Sequence, residues 1–279
     1  MLACLNLITN QGEIKVKNLL LLLAAVCAVS AMAETKTLWY CDFETAEGYN
    51  AGNLVGQCGW YNVNGTTTTR DVVANDSTFA PSGSQFLSFN PDVNGKKTIS
   101  AVEFDVSDSY VIAPYNKLFV SWDQARVSDS YSDDTCYVKL FNFGDTGRSS
   151  DIEIASFRLE YSYALLEVTK ADKSNILNVT INMDHPEVWH HFTMTLEPES
   201  RMIKEFTVDG NVIDAVTDTY YKNEYESASG SVPRGGGLID GIGVMKKGYY
   251  DNFKVEMIPE PAFLGLLALA GLFFVRKQG

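Results

Sequence analysis

Short runs in which apolar and polar residues alternate recur between residues 37 and 257 of this 279-residue chain. Alternation with a period of two places every second side chain on one face of a β-strand. Turn-forming pairs such as Asn64-Gly65, Asn94-Gly95 and Asp209-Gly210 separate the runs. The pattern predicts an all-β fold, an antiparallel β-sandwich that spans residues 34–257. The predicted strands cover residues 37–43, 84–89, 99–106, 117–127, 136–143, 152–161, 165–169, 176–183, 189–196, 202–208, 211–216, 238–245 and 249–257.

Two pairs of neighbouring runs are close enough in sequence to predict hairpins. Asp209-Gly210 supplies the positive φ angles of a tight two-residue turn, so residues 202–208 should pair with residues 211–216. Lys246-Lys247-Gly248 joins the last two runs, and we expect residues 239–245 to fold back onto residues 249–255.

The N-terminal segment has the layout of a secretory signal peptide. Lys15 and Lys17 precede an apolar run at residues 19–29, and the small residues Ala31 and Ala33 flank Met32. A basic region, a short apolar stretch and a small-x-small cleavage site follow one another in signal peptides. We therefore predict that residues 1–33 form a signal helix that is removed on export.

The C-terminal segment, residues 258–279, is a second apolar end. Pro259-Glu260-Pro261 precedes an apolar run at residues 262–275, and Arg276-Lys277 follows it. A helix over this run would be about 21 Å long at 1.5 Å per residue, whereas the hydrocarbon core of a bilayer is roughly 30 Å thick. The run therefore predicts a short hydrophobic helix, either a transient sorting segment or a lasting anchor.

Charge narrows the choice of partners. The formal net charge of the chain is −13, and removal of the basic ends would make the middle more acidic. An acidic surface repels phosphate backbones, so the sequence argues against a nucleic-acid partner.

Three stretches resemble known exported proteins. The first is DFE at residues 42–44 with GYNAGNLVGQCGW at residues 48–60, and the second is WHHFTMT at residues 189–195 with VDGN at residues 208–211. The third is YDNFKV at residues 250–255, followed by Pro259-Glu260-Pro261, the apolar run and the basic end. Together they resemble bacterial surface proteins that carry a concanavalin A-like or laminin-G-like sandwich and a PEP-CTERM sorting tail.

The resemblance implies a place and a partner for the protein. Proteins of this kind are handled by a membrane-embedded sorting protease, an exosortase, in bacteria that make extracellular polysaccharide. It therefore implies a concanavalin A-like jelly roll and a location at the cell envelope, the outer surface or the extracellular matrix. The implied sorting residues are Pro259, Glu260, Pro261, Arg276 and Lys277.

Carboxylates on one strand are the main candidates for catalysis. Sandwich hydrolases of the laminarinase type carry Glu-x-Asp-x-x-Glu, whose first two carboxylates face the cleft. The nearest pattern here is Glu103, Asp105 and Asp108, in which the third residue is a shorter Asp. We expect these to be solvent-facing carboxylates and the protein to be non-enzymatic. A glycan hydrolase is the alternative.

Metal and cofactor sites have little support in the sequence. Asp129, Asp133 and Asp134 lie in one acidic loop whose oxygens could hold calcium, although a solvated turn is the simpler interpretation. No other cofactor is implied. His190 and His191 are adjacent in a predicted strand and must face opposite sides, so they cannot easily share a metal, and His185 is the only other histidine.

Cysteines and aromatic pairs complete the candidates. A disulfide between Cys41 and Cys58 is one option, and burial of Cys41 as a small hydrophobic residue is the other.

Adjacent aromatic residues in a strand should place one ring inward and one outward, where the outer ring is available to stack on a sugar. These pairs are Trp39-Tyr40, Trp60-Tyr61, Tyr220-Tyr221 and Tyr249-Tyr250.

The signal-peptide pattern makes a direct prediction about the exported protein. Signal peptidase should cut after Ala33, because Ala31 and Ala33 are the small residues that it recognises. The exported form should therefore begin at Glu34, which N-terminal sequencing and the intact mass will show. An exported form that still carries Lys15 and Lys17 would contradict the prediction.

Overall fold

The computed structural model of the chain is all-β in its described part. It describes residues 35–63, 71–89, 99–105, 115–127, 136–141, 153–160, 163–167, 187–197, 200, 202–215, 217, 219–220, 239–245 and 248–259. These residues form strands and one 3-10 turn, Thr45–Glu47, with no α-helix among them. The all-β prediction is thus confirmed, and the predicted terminal helices lie outside the described residues.

The strands within the described ranges form two antiparallel sheets, one of ten strands and one of six. The larger sheet contains β1 (Lys36–Cys41), β2 (Gly52–Asn53), β4 (Asp71–Asn75), β5 (Gln85–Phe89), β7 (Tyr115–Ala125), β11 (His190–Glu197), β12 (Met202–Val208), β13 (Asn211–Val212), β14 (Thr219–Tyr220) and β16 (Gly248–Pro259). The smaller sheet contains β3 (Tyr61–Asn62), β6 (Ile99–Glu103), β8 (Cys136–Phe141), β9 (Glu153–Glu160), β10 (Tyr163–Glu167) and β15 (Gly241–Met245).

The two sheets pack face to face through their inner side chains. Trp122 of the larger sheet lies 5.3 Å from Phe157 of the smaller sheet, and Phe157 stacks on Phe206 at 5.7 Å between ring centroids. The Tyr250 hydroxyl accepts a hydrogen bond from the backbone N–H of Tyr137, which joins the two layers directly. One continuous apolar core therefore lies between the sheets, which is the defining feature of a sandwich.

Strand order places β7 and β16 at the centre of the larger sheet. The order is β13-β12-β11-β7-β16-β5-β4-β2, while β1 also pairs with β16. Leu118, Val120 and Trp122 of β7 are fully buried in the core, so Phe119, Ser121, Asp123 and Ala125 face outward. This outer face of the larger sheet carries the candidate site described below.

Of the two predicted hairpins, one is confirmed and the other is wrong. Asp209 and Gly210 have φ angles of 51° and 76°, and Val208 pairs with Asn211 across the turn. In contrast, β15 pairs with β6 and β8 in the smaller sheet, whereas β16 lies in the larger sheet. The chain crosses from one sheet to the other between them, and each strand pairs with partners from distant parts of the sequence.

The end of β16 reaches into the motif at the C-terminal boundary. The strand continues two residues past the predicted domain boundary at residue 257, and Pro259 pairs with Tyr115. Residues 1–33 and the rest of the segment 258–279 lie outside the described residues. In the described part of the chain, no helix is both long and apolar enough to cross a bilayer.

Gly243 is a point where the smaller sheet has no room for a side chain. A Cβ added there would stand 2.8 Å from Cε2 of Phe141 and 3.0 Å from the carbonyl oxygen of Ser100. Phe141 is fully buried, and Gly243 pairs with strands on both sides. The missing Cβ therefore allows β6, β8 and β15 to pair closely around this ring.

Substitution of Gly243 should destabilise the protein through overpacking. We expect Gly243→Ala to lower the free energy of unfolding by about 1–3 kcal/mol, measured by urea unfolding of the full-length chain. The control Val212→Ala changes a side chain that is 52% exposed and should stay within about 0.5 kcal/mol of the wild type. Equal stability of Gly243→Ala and the wild type would contradict the packing described above.

Candidate functional site

Strand β16 changes its neighbour halfway along its length. Tyr250 pairs with Leu87 of β5, whereas Phe253 pairs with Cys41 of β1. The register with β7 shifts between Asp251 and Lys254, and Asn252 has a positive φ of 51°. This bulge turns Asp251 and Asn252 out of the regular alternation. It also brings the residues after β1 and before β5 next to them.

Asp251 is a fully buried carboxyl at this bulge. Its side chain is 0% exposed, and its Oδ1 accepts a hydrogen bond from the backbone N–H of Asn252 at 2.8 Å. Oδ2 is also buried and accepts no hydrogen bond in the described part of the chain. Burial raises the pKa of Asp251 to about 9, and the negative charges of Asp123, Asp42 and Glu44 contribute to this rise.

Glu44 is held in a fixed position beside the bulge. Its carboxylate accepts hydrogen bonds from the backbone N–H groups of Ser84 and Gln85 and from the hydroxyl of Ser84. Gly83 leaves room for this contact, because a Cβ on it would clash with Oε1 of Glu44. Gly83 also has a positive φ of 61°, which favours glycine. The geometry thus requires glycine for two reasons.

Asp42 and Glu47 extend the group of acids. Asp42 accepts hydrogen bonds from the Tyr40 hydroxyl and from the backbone N–H of Glu44. Glu47 accepts a hydrogen bond from the backbone N–H of Asp42 at 3.0 Å, and burial raises the pKa of Glu47 to about 7. We call Asp42, Glu44, Glu47, Asp123 and Asp251 the carboxylate cluster.

A chain of polar side chains leads from the bulge to the outer face. Ser82 donates to Oδ1 of Asn252 at 2.8 Å, and Nδ2 of Asn252 donates to Oδ2 of Asp123 at 2.6 Å. Oδ1 of Asp123 bonds Nδ1 of His191 at 2.6 Å. The His191 side chain is 50% exposed and that of Asp123 is 13% exposed. This series of hydrogen-bonded side chains therefore ends at the solvent-accessible imidazole of His191, whose orientation is fixed by the Asp123 carboxylate.

Four aromatic rings form a cluster next to this polar chain. Phe79, Phe86, Trp189 and Tyr249, which we call the aromatic cluster, lie with neighbouring ring centroids between 4.9 and 6.4 Å apart. Phe86 is buried, while the other three rings are half-buried. The indole Nε1 of Trp189 donates to the carbonyl oxygen of Phe79 at 2.7 Å. Trp189 lies directly before β11 and two residues before His191, so in an extended backbone the two side chains face the same side and the aromatic and polar groups share one surface.

The two described histidines have the predicted opposite orientations. His190 is 8% exposed, and its Nδ1 bonds Oδ2 of Asp209 at 2.7 Å. His191 faces outward toward Asp123, on the other side of the sheet. His185 lies outside the described residues. Among the residues that the structure describes, no three histidine, cysteine, Asp or Glu side chains are already grouped to hold a metal ion.

The cysteine pairing allowed by the sequence is not formed in the structure. Cys41 and Cys58 are both free thiols, the first buried and the second exposed. The Cys41 thiol donates to the Tyr49 hydroxyl at 3.2 Å, and that hydroxyl also accepts from Nε1 of Trp60. Cys41 is therefore a buried small hydrophobic residue, as the alternative interpretation held, and its burial raises the pKa of the thiol.

The other sequence candidates are only partly described. Glu103 and Asp105 are the exposed neighbours of the buried Phe104 in sequence, so both side chains point outward at the end of β6. The Tyr61 hydroxyl donates a hydrogen bond to Glu103 at 3.1 Å. Their third partner, Asp108, lies outside the described residues. The proposed calcium ligands Asp129, Asp133 and Asp134 also lie outside them, as do the sorting residues Glu260, Pro261, Arg276 and Lys277.

Predictions for the aromatic pairs are confirmed for two pairs and wrong for a third. Trp39 packs on the core while Tyr40 is 44% exposed, and Tyr250 is fully buried while Tyr249 is half-buried on the outer face. Trp60 and Tyr61 are both buried, because Tyr61 packs in a separate small cluster with Ile99, Ala101, Tyr137 and Phe141. Tyr221 of the fourth pair lies outside the described residues.

Sequence reasoning missed the carboxylate cluster. Asp42, Glu44 and Asp251 belong to the stretches DFE and YDNFKV, but their convergence depends on strand pairings between distant segments. One local signal was present: Asp251 is a charged residue inside an apolar-rich strand run, next to the buried Tyr250 and Phe253. A buried charge of this kind calls for a partner.

The raised pKa of Asp251 predicts how stability depends on pH. Because the folded-state pKa is about 9 and the ordinary value is 3.8, this carboxyl favours folding only while it is protonated. The free energy of unfolding should therefore fall as pH rises from about 5 to 9. Asp251→Asn cannot ionise and should show a smaller fall, with higher stability than the wild type at pH 8–9.

Urea unfolding at a series of pH values measures this difference. Glu205→Gln alters an exposed carboxylate on β12 and should keep the wild-type slope. Identical pH profiles for the wild type and Asp251→Asn would show that Asp251 does not titrate in this range.

Comparisons with known proteins do not identify a family for this chain. No protein-family model matches the chain, and no curated protein matches its sequence. A carbohydrate esterase from a Shiga toxin-encoding bacteriophage aligns over 81% of this chain and all of its own length, with 10% identity and a TM-score of 0.49. A cellulose-induced protein aligns over 78% of this chain and 96% of its own, with 15% identity and a TM-score of 0.48.

A third solved structure is the binding domain of a botulinum neurotoxin in complex with rat synaptotagmin II. It aligns over 84% of this chain with 10% identity and a TM-score of 0.46, and this chain spans 51% of its length. These likenesses are too distant to carry an argument about activity or ligand.

Proposed function

We propose that this protein is an exported, non-enzymatic component of the cell surface or extracellular matrix that binds glycan through the outer face of its larger sheet. We further propose that its sandwich is of the concanavalin A-like jelly-roll class. The observation that carries the binding proposal is the juxtaposition of the aromatic cluster with the polar chain that ends at His191.

The aromatic cluster supplies the apolar half of a sugar-binding surface. The C–H face of a pyranose ring packs on aromatic side chains, and Trp189 and Tyr249 are half-buried rings on the outer face. Trp189 is held by its hydrogen bond to the carbonyl oxygen of Phe79. A fixed ring loses little conformational entropy when a ligand binds.

The adjacent polar groups supply the directional half. Sugar hydroxyls both donate and accept hydrogen bonds, and His191 and Asp123 offer both functions close to the rings. Asn252 and Ser82 hold Asp123 in place, so the polar groups are preorganised before a ligand arrives.

Charge favours a neutral glycan over an anionic one. The chain carries a formal net charge of −13, and the carboxylate cluster lies beside the proposed surface. Uronate or sulfate groups would be repelled by this charge. We therefore propose a neutral polysaccharide, such as a glucan, galactan or xylan, as the ligand class.

The export part of the proposal is supported by the two ends of the chain. The pattern at residues 1–33 is that of a signal peptide, and residues 258–279 resemble a PEP-CTERM tail. The proposed partner of the tail is a membrane-embedded exosortase, which would act on the segment that begins at Pro259-Glu260-Pro261. The protein would then be membrane-associated at least transiently before it reaches the outer surface or matrix.

Glycan binding should depend on the aromatic cluster and on His191. We expect Trp189→Ala and His191→Ala each to weaken binding of the full-length chain to a neutral glycan by about tenfold, or 1.4 kcal/mol. Isothermal titration calorimetry against soluble glucan, galactan and xylan measures the affinity. Circular dichroism and Tm show whether each variant is folded.

The control is Val212→Ser, an exposed apolar residue on β13 at the far edge of the sheet, which should bind like the wild type. Equal binding by folded Trp189→Ala, His191→Ala and the wild type would overturn the assignment of the surface. Release of reducing ends that disappears in Glu103→Gln would overturn the non-enzymatic proposal and favour the hydrolase alternative.

A further inference from the structure

We infer that the end of the larger sheet at which β16 terminates is a membrane-facing surface, where Lys36 and Lys117 bind the phosphates of anionic lipid headgroups. The start of β1, the start of β7 and the last residues of β16 meet there, and we call this the basal end. The inference rests on the part of the proposed function that places the C-terminal apolar run in a membrane. It does not depend on glycan binding.

The first support is the short length of chain between β16 and the apolar run. β16 stays paired with β7 as far as Pro259, which lies opposite Tyr115. In the sequence, Glu260 and Pro261 alone separate Pro259 from Ala262, where the apolar run begins. Three fully extended residues span at most about 11 Å, and the headgroup layer of one leaflet is roughly 5–8 Å thick. Insertion of the apolar run therefore brings the basal end to the headgroups.

The second support is that β1 brings the other apolar end of the chain to the same place. β1 and β16 are antiparallel, and Lys36 lies opposite Met257. The predicted cleavage site after Ala33 comes three residues before Lys36, again within about 11 Å of chain. Before the signal peptide is removed, both apolar segments would enter the membrane at the basal end. The pairing of the first and last strands thus selects which end of the sandwich faces the bilayer.

The third support is the position of two lysines at this end. Lys36 is exposed at the first residue of β1. Lys117 is half-buried on the outer face and pairs with Ile258, next to the end of β16. The ammonium group of a lysine sits on a flexible four-carbon stem and binds phosphate as a point charge. Both lysines are therefore within reach of a headgroup layer that meets the basal end.

Two described acids near this end already have cationic partners. Nζ of Lys204 lies 3.7 Å from a carboxylate oxygen of Glu197, and Nζ of Lys254 lies 2.8 Å from one of Glu256. These two pairs cancel in charge. Lys36 and Lys117 consequently make the described part of the basal end positive, although the whole chain has a formal net charge of −13.

Other described acids lie farther from the bilayer in this orientation. Asp251, in the carboxylate cluster, precedes Pro259 by eight residues, or about 26 Å along a strand. In the smaller sheet, Phe104 lies between two exposed acids and stacks on Trp39, which pairs with Val255 four residues before Pro259. An acidic protein approaches an anionic surface most easily through its positive end, which here is the basal end.

This orientation turns the proposed glycan surface away from the bilayer. His191 pairs with Asp123, which follows Tyr115 by eight residues along β7. The strand rise places that pair about 26 Å from the basal end. A membrane and a glycan could therefore be bound at the same time, at opposite ends of one sheet.

Amine labelling of the full-length chain in vesicles tests the orientation. The vesicles contain phosphatidylcholine and phosphatidylglycerol at about 3:1, so that the surface is anionic. The comparison variant carries a Gly-Ser spacer of roughly 20 residues between Pro261 and Ala262, which separates the sandwich from the bilayer by about 25 Å. Acetylation of Lys36 and Lys117, measured by mass spectrometry, should be about threefold slower in the wild type, because headgroups cover both amines. Lys254, which is 40% exposed on the outer face, should react equally in both proteins.

A charge variant tests the role of the lysines. We expect Lys36→Gln with Lys117→Gln to reduce the preference of the full-length chain for anionic over neutral phosphatidylcholine vesicles by about tenfold. Timed flotation after dilution from detergent measures the two association rates. The control, Val188→Glu with Val212→Glu, makes the same change in net charge on two exposed residues near the opposite end of the sheet and should keep most of the preference. Circular dichroism and Tm show whether each variant is folded.

The outcomes separate this inference from the proposed function. A wild-type chain that does not float with vesicles would overturn both the inference and the membrane part of the proposed function. A chain that floats while Lys36 and Lys117 react as fast as in the spacer variant would overturn the inference alone. An equal loss of anionic preference in the lysine variant and its control would overturn the assignment of headgroup binding to the two lysines.

Discussion

The pairing of β16 with β7 is the contact on which the rest of the structure depends. These two strands pair from Tyr249 to Pro259 at the centre of the larger sheet. Val120 and Trp122 of β7 and Val255 of β16 point into the core and pack against the smaller sheet. Because β16 also pairs with β5 and then with β1, the last strand of the sandwich connects segments that are far apart in sequence.

The bulge in this central pair links packing to chemistry. A regular strand would alternate inward and outward throughout, but the irregularity between Asp251 and Lys254 leaves a carboxyl buried among other acids. The same irregularity directs Asn252 toward Asp123, which in turn orients His191. The bulge thus places the buried Asp251 carboxyl next to the polar half of the proposed glycan surface.

Strand existence was predictable because it depends on local alternation. The runs around Phe192, Val208 and Leu140 each bury one face, and all became strands. The sequence does not predict the two-residue strands β2, β3 and β14, since two residues carry no periodic signal. It also does not predict β4, whose sequence DVVAN shows no alternation. The predicted hairpin between β15 and β16 was wrong because proximity in sequence does not decide which sheet a strand joins. That choice depends on the side chains that pack against both of its faces, as around Gly243.

The sequence by itself determined the longer alternating strands, the tight turn at Asp209-Gly210 and the opposite orientation of His190 and His191. Each of these follows from neighbouring residues and backbone stereochemistry. What only the tertiary structure decided was which distant side chains meet. Asp42, Asp123 and Asp251 lie on three separate strands or their ends, and Phe79 reaches Trp189 across 110 residues. The physical reason is that register between strands is chosen by burial of the whole core, which no short stretch of sequence contains.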